Sequence, residues 1–273
     1  MRYATSLAKA ALALVLPFIL AHCASLVSER LPLKYDAQSV GGPNSGAPLQ
    51  LYLPPGNGPF PAVLVMHGCG GITDSHRGWA GRLVGWGYAA VIVDSFGPRN
   101  SRSVCENVDS IATRVRAQDA HNAATYLRTL PNIQAERIGI IGFSHGGSST
   151  LWAAIGVEIP VDRGGHPFQA GVAYYPGCSG RAIVGPYVTD VLILTGKNDT
   201  WTPADLCLKT VAARANDTRP PTIKVYPGAL HSFDLGTLPT LTSSGHMIGG
   251  NPEAAADSFV MTKAFLDARL KAK

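Results

Sequence analysis

Short, wholly apolar runs recur along the chain, each followed by a turn and then by a stretch with helical spacing. Residues 62–66, 89–93 and 138–143 carry no charged or hydrogen-bonding side chain, the mark of strands covered on both faces. Residues 170–175, 191–195 and 222–226 read as three later strands. Residues 49–53 alternate instead, and stop at Pro54-Pro55-Gly56, which reads as a strand and a turn. Between these runs the spacing predicts helices over 79–86, 109–130, 146–155, 203–215 and 252–271. Ile111, Val115, Ala120, Ala123, Ala124 and Leu127 form the expected apolar face of the longest. Residues 95–107 read as a loop, and 235–251 as a Gly-rich one. Strands covered on both faces and separated by helices imply an α/β fold, with a mostly parallel sheet between two helical layers. Ligand sites in such sheets lie at the carboxyl ends of the strands, so the residues just after each strand decide the chemistry.

Composition narrows the class. With 46% hydrophobic and 15% charged residues the chain is too apolar to be disordered. The net charge of +5 contains no Lys/Arg run, so nothing supports a nucleic-acid partner. The N-terminus has the order of an export signal: basic Arg2 and Lys9, an apolar stretch at 10–21, then a polar exit. That stretch is shorter than the roughly 20 residues that span a bilayer. Residues 1–24 are therefore expected to be a signal peptide, and 25–273 a single α/β domain, with no transmembrane span. Leu20-Ala21-His22-Cys23 resembles a lipoprotein box, which makes Cys23 a candidate lipid anchor; cleavage near Ala21 or Ala24 is the alternative. Either way the expected location is periplasmic or secreted. Four cysteines remain, Cys69, Cys105, Cys178 and Cys207, and an even number in an oxidising compartment points to disulfides. No Cys/His cluster has zinc spacing, so no metal site is expected.

The strand at 138–143 runs into Gly142-Phe143-Ser144-His145-Gly146, a G-x-S-x-G elbow with a strand before it and a helix after. Glycines are needed there for room: the turn is so sharp that side chains two residues either side of Ser144 would collide. A serine hydroxyl is a weak nucleophile at neutral pH and needs a base. On this architecture the order along the chain is nucleophile, acid, base. Asp199 follows the strand at 191–195, and His231 follows the strand at 222–226. Asp205 falls within the next helix, and Asp94 precedes the serine and suits a structural role. His246 sits in the Gly-rich loop; His76, His121 and His166 read as surface or loop residues. The turn His67-Gly68-Cys69-Gly70-Gly71 is placed to aim backbone N–H groups at the nucleophile, and the Cys69 and His145 amides are the expected oxyanion donors.

Together, His67-Gly-Cys-Gly-Gly-Ile72, Asp94-Ser-Phe-Gly-Pro-Arg99, the Ser144 elbow, Asn198-Asp-Thr-Trp-Thr-Pro203 and His231-Ser-Phe-Asp234 resemble the dienelactone hydrolase family of the α/β-hydrolase fold. The resemblance runs from about Leu49 to Leu270 and implies the triad Ser144, Asp199 and His231. Founding members of the family carry Cys where this chain has Ser144, Glu where it has Gly68, and a second substrate-binding Arg where it has Leu235. Arg99 resembles the first of those arginines; Phe96 and Trp201 are expected beside it in the substrate pocket. In this fold the strands that precede Cys69 and Cys105 are neighbours, as are those that precede Cys178 and Cys207. The expected pairs are therefore Cys69–Cys105 and Cys178–Cys207. The expected activity is cofactor-free hydrolysis of a small carboxylic ester or lactone through an acyl-enzyme. An acyltransferase or peptidase on the same triad, and an envelope binding protein that keeps the fold, are the alternatives.

Overall fold

The computed structural model describes residues 38–41, 48–159, 165–179 and 186–271. The leader at 1–24, with Cys23, lies outside them. In chain order the strands are β1 Gln38–Gly41, β2 Pro48–Tyr52, β3 Phe60–Met66, β4 Ala89–Val93, β5 Ile133–Phe143, β6 Ala170–Tyr174, β7 Asp190–Gly196, β8 Thr222–Tyr226, β9 Thr240–Leu241 and β10 Met247–Ile248. The helices are α1 Asp74–Gly85, α2 Thr113–Leu127, α3 His145–Ala153, α4 Ala204–Ala213 and α5 Pro252–Leu270. Strands β1 to β8 form one sheet in the order β1-β2-β4-β3-β5-β6-β7-β8. The β1–β2 and β2–β4 pairs are antiparallel and every later pair is parallel.

Alternation along each strand sends neighbouring side chains to opposite layers. Val63 and Val65 pack with Leu83 of α1 and Leu266 of α5, whereas Ala62, Leu64 and Met66 pack with Ala120, Ala124 and Leu127 of α2. Helix α3 closes the same side as α2 and reaches α4 through Leu151, Cys178 and Cys207. The central strands are thus apolar on both faces, as the sequence predicts. Among the described residues no helix is long and apolar enough to cross a membrane.

Several boundaries differ from the sequence reading. Helix α1 starts at Asp74 rather than at 79, because Thr73 caps it in a reciprocal box with His76. Helix α2 starts at Thr113, and Val115 is exposed while Arg116 is fully buried. The apolar face there is interrupted by a cation that periodicity does not reveal. Strand β5 reaches back to Ile133, and the 235–251 loop contains the β9–β10 hairpin. The hairpin hangs from the segment after β8: Gly249 N donates to His231 O (3.0 Å) and Asn251 N to Phe233 O (2.8 Å).

Candidate active site

Strand β5 ends in the elbow. Ser144 sits at φ 53°, ψ −118°, a left-handed conformation that holds its hydroxyl out of the sheet. The flanking glycines are forced. A Cβ on Gly142 would come 2.1 Å from Gly146 O, and one on Gly146 would come 2.2 Å from Met66 O. The backbone crossing beneath the serine therefore has no space for a side chain.

His231 Nε2 lies 2.9 Å from Ser144 Oγ, and its Nδ1 lies 2.7 Å from Asp199 Oδ2. A carboxylate only accepts, so Nδ1 carries the proton and Nε2 is free to accept from the serine hydroxyl. Asp199 is itself held on both oxygens. The Trp201 and Thr202 amides donate to Oδ1 at 2.8 and 2.9 Å, and Thr202 Oγ1 donates to Oδ2 at 2.8 Å. Burial alone would raise the Asp199 carboxyl, but the bonds from His231 and Thr202 outweigh it and hold the group below the usual carboxylate range. The aromatic rings of Tyr175 and Trp201 pack on His231 with centroids 4.6 and 5.0 Å away. His246 stacks on the outer face of Trp201 at 5.4 Å, which places it on the rim rather than beside Ser144.

The Gly-rich turn after β3 and the first turn of α3 meet at Ser144. The Cys69 and His145 amides have no acceptor among the described residues, and the helix N-terminus adds a favourable dipole for developing negative charge. Two links reach Cys69 itself: Val104 N donates to Cys69 O at 2.8 Å, and Cys69 is bonded to Cys105. Cys178 is likewise bonded to Cys207, so both pairs agree with strand adjacency.

Beneath the turn lies a group that no sequence pattern announces. The buried Arg116 guanidinium donates from Nη2 to His67 O (2.6 Å) and from Nη1 to His145 Nδ1 (2.7 Å), and lies over the Phe96 ring. It thereby joins the peptide before the Gly-rich turn to the residue after Ser144. His145 Nε2 donates to Val108 O at 3.0 Å, so the imidazole is neutral; burial, then Arg116, pushes it down to about 4. Burial also lowers Arg116, to about 9. His76, expected at the surface, is buried. Its Nδ1 accepts from Thr73 N at 3.0 Å, and its Nε2 stands 3.3 Å from Gly68 N. His121, also expected outside, is buried against Phe168 with Nε2 on Ala153 O; His166 is exposed. Asp234 completes the support. It accepts from Trp79 Nε1 (2.8 Å) and Tyr175 OH (2.7 Å), and fixes the ring that packs on His231.

Two of the residues expected in the substrate pocket point elsewhere. Arg99 gives a bidentate pair to Asp119 (2.8 and 2.9 Å) and a third bond to Ser95 O. Phe96 is buried edge-on to His67 at 4.4 Å. Neither lines the cavities at Ser144. Asp119 on α2 captures the guanidinium that the motif suggested for substrate. Trp201 does line them. Asp94 has the structural role expected of it, accepting from the Phe96 and Gly97 amides. Among the described residues no group of three or more His, Cys, Asp or Glu could hold a metal.

The chain matches the dienelactone hydrolase family over residues 49–270. It belongs to that family. Its members named here hydrolyse ester bonds, and the chain is a hydrolase of that kind. It is 26% identical over 187 residues to a Bradyrhizobium protein named as a 2-oxo-3-(5-oxofuran-2-ylidene)propanoate lactonase, covering 64% of this chain and 74% of that one. It is 25% identical over 250 residues to a Synechocystis protein named as a carboxymethylenebutenolidase, covering 84% and 95%. The fold superposes on a Klebsiella pneumoniae structure named as a dienelactone hydrolase with a TM-score of 0.69 at 22% identity, over 85% of this chain and 98% of that one; this likeness concerns the fold alone. The two disulfides suit an oxidising, extracytoplasmic compartment.

Proposed function

We propose that the protein is an exported serine esterase that works through Ser144, His231 and Asp199. The observation that carries this reading is the continuous line of bonds from Ser144 Oγ through His231 to Asp199, opening on a cavity beside the Cys69 and His145 amides, which have no acceptor among the described residues. In this mechanism His231 Nε2 takes the hydroxyl proton as Ser144 attacks the carbonyl. The Cys69 and His145 amides stabilise the oxyanion, and His231 passes the proton to the leaving alkoxide. A water then repeats the sequence on the acyl-enzyme. Asp199 fixes the tautomer and offsets the charge on the imidazolium. The leader at 1–24 would deliver the chain to the periplasm or beyond, with lipidation at Cys23 as one route. The carboxymethylenebutenolidase and lactonase names of the relatives support an ester or lactone substrate, while the commitment of Arg99 to Asp119 argues against recognition of a carboxylate there.

Fluorophosphonate labelling followed by peptide mapping tests the assignment. The adduct is expected on the peptide that contains Ser144, and Ser144→Ala should lower kcat on 4-nitrophenyl esters by about 10⁴-fold or more. An adduct elsewhere, or an active Ala variant, would refute it.

A further inference from the structure

Ser144 lies between two cavities, not at the bottom of one. The first, about 660 Å³, is walled by His231, Leu235 and Ile248, with the hydroxyls of 242–244 on its rim. The second, about 500 Å³, is walled by Val108, Trp152, Ser148 and Leu206. They share Cys69, Ser144 and Trp201, and only the first contains His231. This asymmetry has a chemical consequence. In the acylation step the Ser144 Oγ–C bond forms, the ester C–O bond breaks, and the proton taken by His231 Nε2 is returned to the departing oxygen. That oxygen has to stand beside His231 when the bond breaks. The alcohol half of the ester must then lie on the His231 side of the nucleophile, and the acyl half must lie on the other.

Building on the serine-esterase reading, we infer that the His231-walled cavity receives the alcohol portion of the substrate and the Leu206-walled cavity the acyl portion. The substrates of this enzyme are then esters with a substantial group on each side of the carbonyl. Trp201, which packs on His231 and borders both cavities, is the partition. The same assignment gives water its route. Departure of the alcohol empties the space next to His231, and the hydrolytic water enters there, gives a proton to Nε2 and attacks the acyl carbon. The Oγ–C bond breaks as Oγ recovers its proton from His231, while the acyl group stays seated against Leu206.

The test uses the full enzyme with Leu206→Trp and Leu235→Trp, each read as a ratio so that any change in folded fraction cancels. One series holds the alcohol fixed (4-nitrophenyl acetate, butyrate and octanoate); the other holds the acyl group fixed (methyl, butyl and octyl acetate). Leu206→Trp is expected to lower the octanoate-to-acetate ratio of kcat/KM by roughly tenfold or more and to leave the octyl-to-methyl ratio within about twofold. Leu235→Trp is expected to do the reverse. If Leu206→Trp loses activity on every ester, Leu206→Ala reads the same cavity in the opposite sense, with a raised octanoate-to-acetate ratio. Exchanged responses, or both variants altering the same series, overturn the assignment. Labelling of Ser144 by fluorophosphonate in the parent enzyme separates the two failures. A labelled serine with exchanged ratios sinks only the cavity assignment, and an unlabelled one sinks the esterase reading itself.

Discussion

Replacing Cys69 and Cys105 together by Ser removes a link that serves stability and chemistry at once. The bond closes a loop with a sequence separation of 36, and Cys178–Cys207 closes one of 29. Because loop entropy grows only with the logarithm of length, the two links should stabilise by nearly the same amount, about 4 kcal/mol each. For a chain of this size that is roughly 8–12 °C in Tm. The kinetic effects should differ. In the proposed mechanism Cys69 supplies one oxyanion amide, and without Cys105 the Val104–Cys69 backbone bond is what still joins Cys69 itself to the neighbouring loop. A displacement of about 1 Å at such a donor costs on the order of 10²-fold in rate. Asp199, near the other disulfide, keeps its bonds from Trp201, Thr202 and His231. The assay is thermal unfolding without reductant, with kcat on a 4-nitrophenyl ester measured well below both midpoints. Cys69→Ser/Cys105→Ser should lose roughly ten- to a hundredfold in kcat, and Cys178→Ser/Cys207→Ser only a few-fold. Equal kinetic losses at matched folded fraction would show that the first disulfide contributes stability alone.

Asp199→Asn presents an amide that can donate to Nδ1 and so favour the wrong tautomer; kcat should fall about 10³–10⁴-fold while the fluorophosphonate site stays at Ser144, as mass spectrometry would read. Arg116→Met leaves the buried His67 carbonyl and His145 Nδ1 without their donor, costing roughly 1–3 kcal/mol for each unpaired group in denaturant unfolding, together with a fall in kcat. His76, His121 and His145 are each pushed down to about 4, with burial the leading cause, so the fold favours their neutral forms. The unfolded chain takes up these protons first, so stability is full above about pH 6.5 and falls as pH drops toward 4. His121→Gln keeps a donor for Ala153 O but does not titrate, and its unfolding free energy should be less steep in that window by up to about 1.4 kcal/mol per pH unit.

Much of this architecture is readable in the sequence because its signals are local. A strand covered on both faces has to be apolar throughout, and residues 62–66, 89–93 and 138–143 are. The elbow is equally local, since its glycines are demanded by contacts within the turn and with β3. Asp199 and His231 follow from chain order once the elbow is found. What the sequence conceals is tertiary. Arg116 lies on a helix whose spacing favours apolar neighbours, and its buried partners, His67 O, His145 and Phe96, come from other segments. His76 and Asp234 look like ordinary polar residues until Gly68, Trp79 and Tyr175 arrive from distant segments. Arg99 misleads for the same reason: the motif carries the guanidinium, but Asp119, twenty residues on, decides where it points.

The hairpin that hangs from the His231 segment bears on how such an enzyme could be remodelled. Its tip at 243–245 is exposed throughout, with Ser243 and Ser244 bordering the cavity walled by His231, whereas its root is bonded to the backbone of His231 and Phe233. The two ends therefore tolerate change differently. Insertions or randomised residues at the tip alter the mouth of the site and leave His231 where it is. The same changes at 249–251 pull on the imidazole itself, and a Cβ on Gly250 would stand 1.9 Å from Leu235 O. Libraries aimed at new ester specificities are best confined to the tip, with the root kept as the fixed point from which the rest of the hairpin is free to diverge.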